Sequence, residues 1–201
     1  METVIVTGIA SGAGKTTLLS RILKNLTDIT NRIGVIKCSI SDNFTESSVT
    51  NAQEIISTPG TDTAVLEEAG SNRTVLIKSS RKKLENALLE AKELVGDVNY
   101  LFIEGNSAAH YLPANLIIYL NNEELEIKPS AREVIKKADI IINTDNLFKV
   151  EEIIPFKFNL DIITCSKAML IAKLLGVKPI IIGKKFNKEK VKLTGCQLGC
   201  F

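Results

Sequence analysis

The sequence predicts a three-layer α/β fold with a mostly parallel central sheet. Three observations carry that prediction. β-Branched runs alternate with helical patterns along the 201 residues, several runs are apolar without a break, and a glycine-rich turn joins the first run to the first helix. Unbroken apolar runs suit parallel strands covered by helices on both faces, and the alternation is that of repeated βαβ units.

In chain order, "TVIVTG", "RIGVIK", "RTVLIK", "NYLFIEG", "NLIIYLN", "ADIIINTD", "LDIITC" and "KPIIIG" read as strands. "KTTLLSRILKNL", "DTAVLEEAG", "RKKLENALLEAKELV", "SAREVIKKA" and "SKAMLIAKLLG" read as helices, because their apolar residues recur three and four positions apart. Gly70 and Gly176 close two of them, where a left-handed C-cap is expected. From Ser39 to Gly60 the chain is rich in Ser, Thr and Asn and reads as a long loop with a short helix in "VTNAQEII". The pattern shifts near Phe156. Residues 1–155 are therefore expected to form a nucleotide-binding domain, and 156–201 an αβ extension, carrying Cys165, Cys196 and Cys200, packed on it.

Composition narrows the function classes. With 25 basic and 23 acidic residues the formal charge is +2, too balanced for nucleic acid as a general partner. No apolar run approaches the ~18 residues of a membrane span, and Met1 leads into a strand instead of a secretory signal, so no membrane partner and a cytoplasmic location are expected. In that compartment the four cysteines are expected as thiols. Cys165, Cys196 and Cys200 offer three thiolates to zinc or an iron–sulfur cluster, with Cys38 or a partner subunit completing the set. Packing of small thiols in the core is the alternative for Cys38 and Cys165.

"GIASGAGKTT", residues 8 to 17, carries the strongest chemical signal. The phosphate-loop pattern G-x-x-x-x-G-K-[ST] puts its first glycine at Ile9, yet the nearest glycine is Gly8. Gly8 is expected to let the chain turn one residue early while Ile9 packs on the sheet. The remaining parts are in register: Gly12, Ala13 and Gly14 form a nest of inward N–H groups, Lys15 supplies charge, and Thr16, followed by Thr17, supplies a hydroxyl for magnesium. The helix that follows presents its N-terminus to the anion. The loop thus predicts a P-loop NTPase fold.

Glu104 ends the strand "NYLFIEG", where a carboxylate beside the loop can hold a magnesium-bound water or polarise an attacking one. Asn143 and Asp145 in "IINTDNL" follow a strand where guanine-reading proteins keep N-K-x-D, one residue longer; an Asx-rich turn is the competing reading. His110 stands alone in "SAAHYLP" and reads as a surface residue.

With the loop, "GVIK" at 34–37, "PGTDTAVLEEAGS" at 59–71 and "FIEG" at 102–105, the first half of the chain resembles the MobB family of P-loop adapters in molybdopterin guanine dinucleotide biosynthesis. The most specific element looks like P-G-x-D-[ST]-x-x-L-x-x-A-G, met by Pro59, Gly60, Asp62, Thr63, Leu66, Ala69 and Gly70. The family's loop often lacks glycine at the place of Ile9. The resemblance implies GTP with magnesium, frequent homodimers, and cooperation with the molybdopterin guanylyltransferase or a molybdoenzyme maturation factor. The family usually follows "GVIK" with histidines, whereas this chain reads Lys37-Cys38-Ser39-Ile40.

A GTP-binding adapter with weak GTPase activity is therefore the expected function. Lys15, Asp62 and Glu104 would be its catalytic residues, and Thr16, Asp62 and Glu104 its magnesium-holding ones. The alternatives are a metal-insertion GTPase using the cysteines and a non-catalytic interaction module. A small-molecule kinase ranks lower, since Arg21, Arg32, Arg73, Arg81 and Arg132 form no grouped lid, and a transport ATPase lacks its LSGGQ-type signature here.

Overall fold

The computed structural model of the chain describes residues 1–26, 32–144 and 156–195. Its centre is β1 (Glu2–Gly8), whose Val4, Ile5 and Val6 are wholly buried. Such a strand needs parallel partners on both sides, and it has β5 (Tyr100–Glu104) on one and β6 (Leu116–Asn121) on the other. Outward from β5 come β2 (Ile33–Ile40) and β4 (Arg73–Ser79), both parallel, and the antiparallel edge strand β3 (Ser48–Thr50). Outward from β6 come β7 (Ile140–Asn143), parallel, and β8 (Phe156–Phe158), antiparallel at the other edge. The order among the described residues is β3-β4-β2-β5-β1-β6-β7-β8, a mostly parallel sheet as expected.

Helices cover both faces. On one, α1 (Lys15–Leu26) buries Leu18, Leu19, Ile22, Leu23 and Leu26, the three- and four-residue spacing read from the sequence. Against it pack α3 (Asp62–Glu68) and α6 (Cys165–Leu174), and α7 (Pro179–Glu189) packs on α6. On the other face α4 (Leu84–Val95) lies over β2 and β4, and α5 (Pro129–Val134) meets the 3-10 turn at Asn106–His110. The α4 approach is close: a Cβ at Gly34 would sit 2.3 Å from Val95 Cγ1. Gly70 and Gly176 take positive φ, 115° and 67°, and the Ser71 N–H reaches Leu66 O at 3.2 Å, a helix-closing bond as expected.

Several elements differ from the sequence expectation. "KPIIIG" is the first turn and a half of α7, not a strand. Pro179 pre-sets the first helical φ, and Ile182 and Phe186, four apart, supply its buried face. "LDIITC" yields only β9 (Ile162–Thr164), which pairs in parallel with β10 (Lys192–Thr194) in a separate two-stranded sheet. Cys165 opens α6 instead of ending a strand, because the Thr164 side chain caps the helix by accepting from Lys167 N. The Ser39–Gly60 stretch contains β3 and a four-residue α2 (Gln53–Ile56), shorter than "VTNAQEII" suggested. The β8 residues Phe156 and Phe158 turn inward about exposed Lys157, an alternation too short to register in the sequence.

Candidate functional site

The carboxyl ends of β1, β5 and β2 meet the N-termini of α1 and α3 at a cavity of about 520 Å³. This is the edge of an open parallel sheet where ligands bind. Its volume lies within the range of small-molecule sites, roughly 300–1,000 Å³.

The phosphate loop forms one wall. β1 ends at Gly8, and Ile9 donates its N–H to Leu120 O at 2.9 Å while its side chain packs in the core at 8% exposure, as expected. Gly8 itself does not supply the bend. The left-handed φ values fall at Gly12 (78°) and Gly14 (82°), whereas a Cβ on Gly8 would come to 3.3 Å from both Ala13 Cβ and Leu120 O. Gly8 is therefore a close-approach glycine. Its backbone is held by a side chain acting as a surrogate strand: Gly8 N donates to Asn106 Oδ1 at 2.9 Å, and Asn106 Nδ2 donates to Gly8 O at 2.8 Å.

Gly12, Gly14, Lys15, Thr16 and Thr17 line the cavity, while Ala13 is buried beneath the loop. Lys15 Nζ donates to Ala10 O at 2.7 Å, across its own loop. Burial lowers the Lys15 pKa, with Lys37 and Lys128 adding repulsion against the attraction of Glu104 and Asp62. Among the described residues no carboxylate forms an ion pair with this ammonium. Lys128 Nζ donates to Ser11 Oγ at 2.7 Å and puts another cation on the rim.

Opposite the loop stand the carboxylates. Glu104, only 1% exposed, accepts from Thr16 Oγ1 at 3.0 Å through Oε2 and from Lys37 Nζ through Oε1. Lys37 and Glu104 are register partners on adjacent strands β2 and β5, so both side chains leave the same face of the sheet. Asp62 enters from the first turn of α3, which Thr61 caps by accepting from Ala64 N, and pairs with Lys37 Nζ at 2.6 Å. Although burial opposes it, hydrogen bonding and charge from Lys37 lower the Asp62 pKa. The Lys37 pKa is raised: burial works against the charge, but Glu104 and Asp62 outweigh it.

The structure thus brings together Gly12, Gly14, Lys15, Thr16, Thr17, Asp62 and Glu104, and adds Lys37, Asn106 and Lys128, to which the sequence reading gave no role. For Lys37 a signal existed: a lone lysine directly after the apolar run 33–36 of β2, matched by the glutamate ending the neighbouring strand. Asn143 does not line the cavity; it ends β7, two strands from β1, and its Oδ1 accepts from Asn121 Nδ2 at 3.3 Å. Asp145, Cys196 and Cys200 lie outside the described residues. His110 is exposed at the end of its 3-10 turn, its pKa lowered by burial and then by Lys137.

Among the described residues no group of three or more His, Cys, Asp or Glu is placed to hold a metal by itself. Zinc or an iron–sulfur cluster therefore finds no support at Cys165. A hydroxyl and two carboxylates beside a phosphate loop do fit magnesium, which binds through one or two carboxylates plus substrate phosphates. Cys38 also lines the cavity, but burial and the Glu104 charge push its thiol up to about 12 against the pull of Lys37, which makes it a poor ligand or nucleophile at neutral pH. Among the described residues no helix is long and apolar enough to cross a membrane.

A parallel α/β sheet with a phosphate nest, a loop lysine and a hydroxyl–carboxylate pair at its carboxyl edge defines a P-loop nucleotide-binding protein. The family model described as "Molybdopterin guanine dinucleotide synthesis protein B" (MobB) matches residues 3–128, and the chain belongs to that family. No curated protein matches the chain. A solved LAO/AO transport system kinase is similar at 14% identity with a TM-score of 0.41, over 96% of this chain and 52% of that one, so the chain spans about half its length.

Proposed function

We propose that the protein binds GTP with magnesium in this cavity and acts as an adapter, with slow GTPase activity, in the making of molybdopterin guanine dinucleotide. Family membership supports the pathway. The observation that carries the chemistry is the meeting of Lys15, Thr16, Asp62 and Glu104 on one cavity at a phosphate loop.

The amides from Gly12 to Thr17 would cradle the phosphates, and Lys15 would exchange the Ala10 carbonyl for outer phosphate oxygens. Thr16, Asp62 and Glu104 would hold magnesium, which when bound neutralises phosphate charge. With both carboxylates engaged on magnesium, neither would stand as a free base for water, which suits slow hydrolysis. Asn143, which ends β7 at the carboxyl edge of the sheet, and Asp145 are the proposed readers of guanine. The proposed partners are a second copy of the chain and the enzyme that joins a guanine nucleotide to molybdopterin.

Calorimetric titration with GTP and ATP, each with magnesium, tests the reading. Tighter binding of GTP is expected, and a preference for ATP overturns the guanine assignment.

A further inference from the structure

Lys37 poses a problem that the functional reading leaves open. Its ammonium sits between Asp62 and Glu104, the two carboxylates that would hold the metal. The lysine side chain is 16% exposed and that of Glu104 1%, so this is no solvated surface pair. A carboxylate buried to that degree is strongly destabilising without a cation beside it, and Lys37 provides one from the neighbouring strand in register. Thr16 completes the Glu104 hydrogen bonds, leaving neither of its oxygens unpaired.

The ammonium takes Asp62 Oδ2 and Glu104 Oε1, one oxygen of each carboxylate, and its charge opposes a divalent cation brought to the same two groups. We propose that Lys37 is a built-in counter-ion that competes with the divalent cation for Asp62 and Glu104, and that a nucleotide's terminal phosphate admits the metal by drawing the ammonium away. The inference rests on the reading of the cavity as a metal–nucleotide site.

Lys37 lines the same cavity as Lys15, on a flexible four-carbon stem. Once drawn off the carboxylates it remains beside the polyphosphate as a second ammonium. Metal and triphosphate therefore strengthen each other's binding, and by linkage the coupling is the same in both directions. A diphosphate lacks the outer group that competes for Lys37 and couples less.

The test uses the full chain, Lys37→Met, Lys37→Gln and Lys37→Arg, each checked for folding by circular dichroism, and titrates magnesium alone by calorimetry. Removing the ammonium while keeping the carboxylates is expected to tighten magnesium binding by at least about tenfold, with Lys37→Arg staying near wild type. GTP should then tighten magnesium binding far more in wild type than in Lys37→Met. Equal or weaker magnesium binding by Lys37→Met and Lys37→Gln, or no measurable binding by any of the proteins, overturns the proposal. The comparison with metal alone needs no nucleotide. A wild type that fails to bind GTP would overturn the functional reading and the phosphate-driven release with it, whereas the competition between Lys37 and magnesium is decided by the titration with metal alone.

Discussion

Glu104, Lys37 and Asp62 show how a few side chains set the character of the site. Among the described residues Lys15 is held only by the Ala10 carbonyl at the loop, and Lys15→Ala is expected to weaken triphosphate binding roughly 10- to 150-fold, the worth of charge-assisted bonds of about 1.5–3 kcal/mol, in a calorimetric titration. The pairs also impose pH limits. The Lys37 pKa lies above its ordinary 10.5, so its stabilisation is complete below that value and is lost as pH rises through the folded-state pKa. For Asp62, lowered from 3.8, stabilisation holds above that value and disappears as pH falls through the folded-state pKa. Both windows lie outside neutrality. Denaturant melts of the wild type should therefore show no loss of these pairs' stabilisation between about pH 6 and 9, with stability falling only toward the alkaline and acid extremes. Cys38, with its thiol pushed up to about 12, should resist iodoacetamide at pH 8 in the folded chain and react once urea unfolds it. Sequence alone named Lys15, Thr16, Asp62 and Glu104 because a motif or a strand tip marks each. It gave Lys37 no role because its partners lie 25 and 67 positions away, and only strand register, for Glu104, and the seat of α3, for Asp62, bring them together.

The elements matter as carriers of these groups. α3 is seven residues long and its start fixes Asp62, so its N-cap bears on the site as well as on stability. Thr61→Ala should cost about 1 kcal/mol in denaturant unfolding, through loss of the bond to Ala64 N. β2 places Lys37, and its seat under α4 depends on Gly34. Gly34→Ala drives a methyl into Val95 and should cost about 1–3 kcal/mol in the same measurement. Long periodic helices and unbroken central strands were legible in sequence because packing follows their pattern. "KPIIIG" was not, since three consecutive isoleucines suit a buried strand as well as a helix; the lysine–proline entry was the overlooked clue. The edges β3, β8 and β10 are three residues each, too short for a period to show.

Across the whole molecule one apolar cluster runs from the strands flanking the loop through α1 into α6, α7 and β8. We propose that residues 156–195 belong to the same folding unit as the nucleotide site. Ile171, wholly buried on α6, tests this: Ile171→Ala should cost about 2–5 kcal/mol in one cooperative transition. A separate early transition with the site intact would indicate an independent extension. The amino-acid sequence by itself determined the layered α/β class, the loop and its cation, because these rest on local periodicity and on contiguous residues whose chemistry needs no distant partner. Tertiary structure alone decided that Asp62 and Glu104 share one ammonium, that Asn106 holds Gly8 from 98 positions away, and that Asn143 stands apart from the cavity. Those relations depend on the order and register of strands, which hydrogen bonding between distant segments selects and no local pattern encodes.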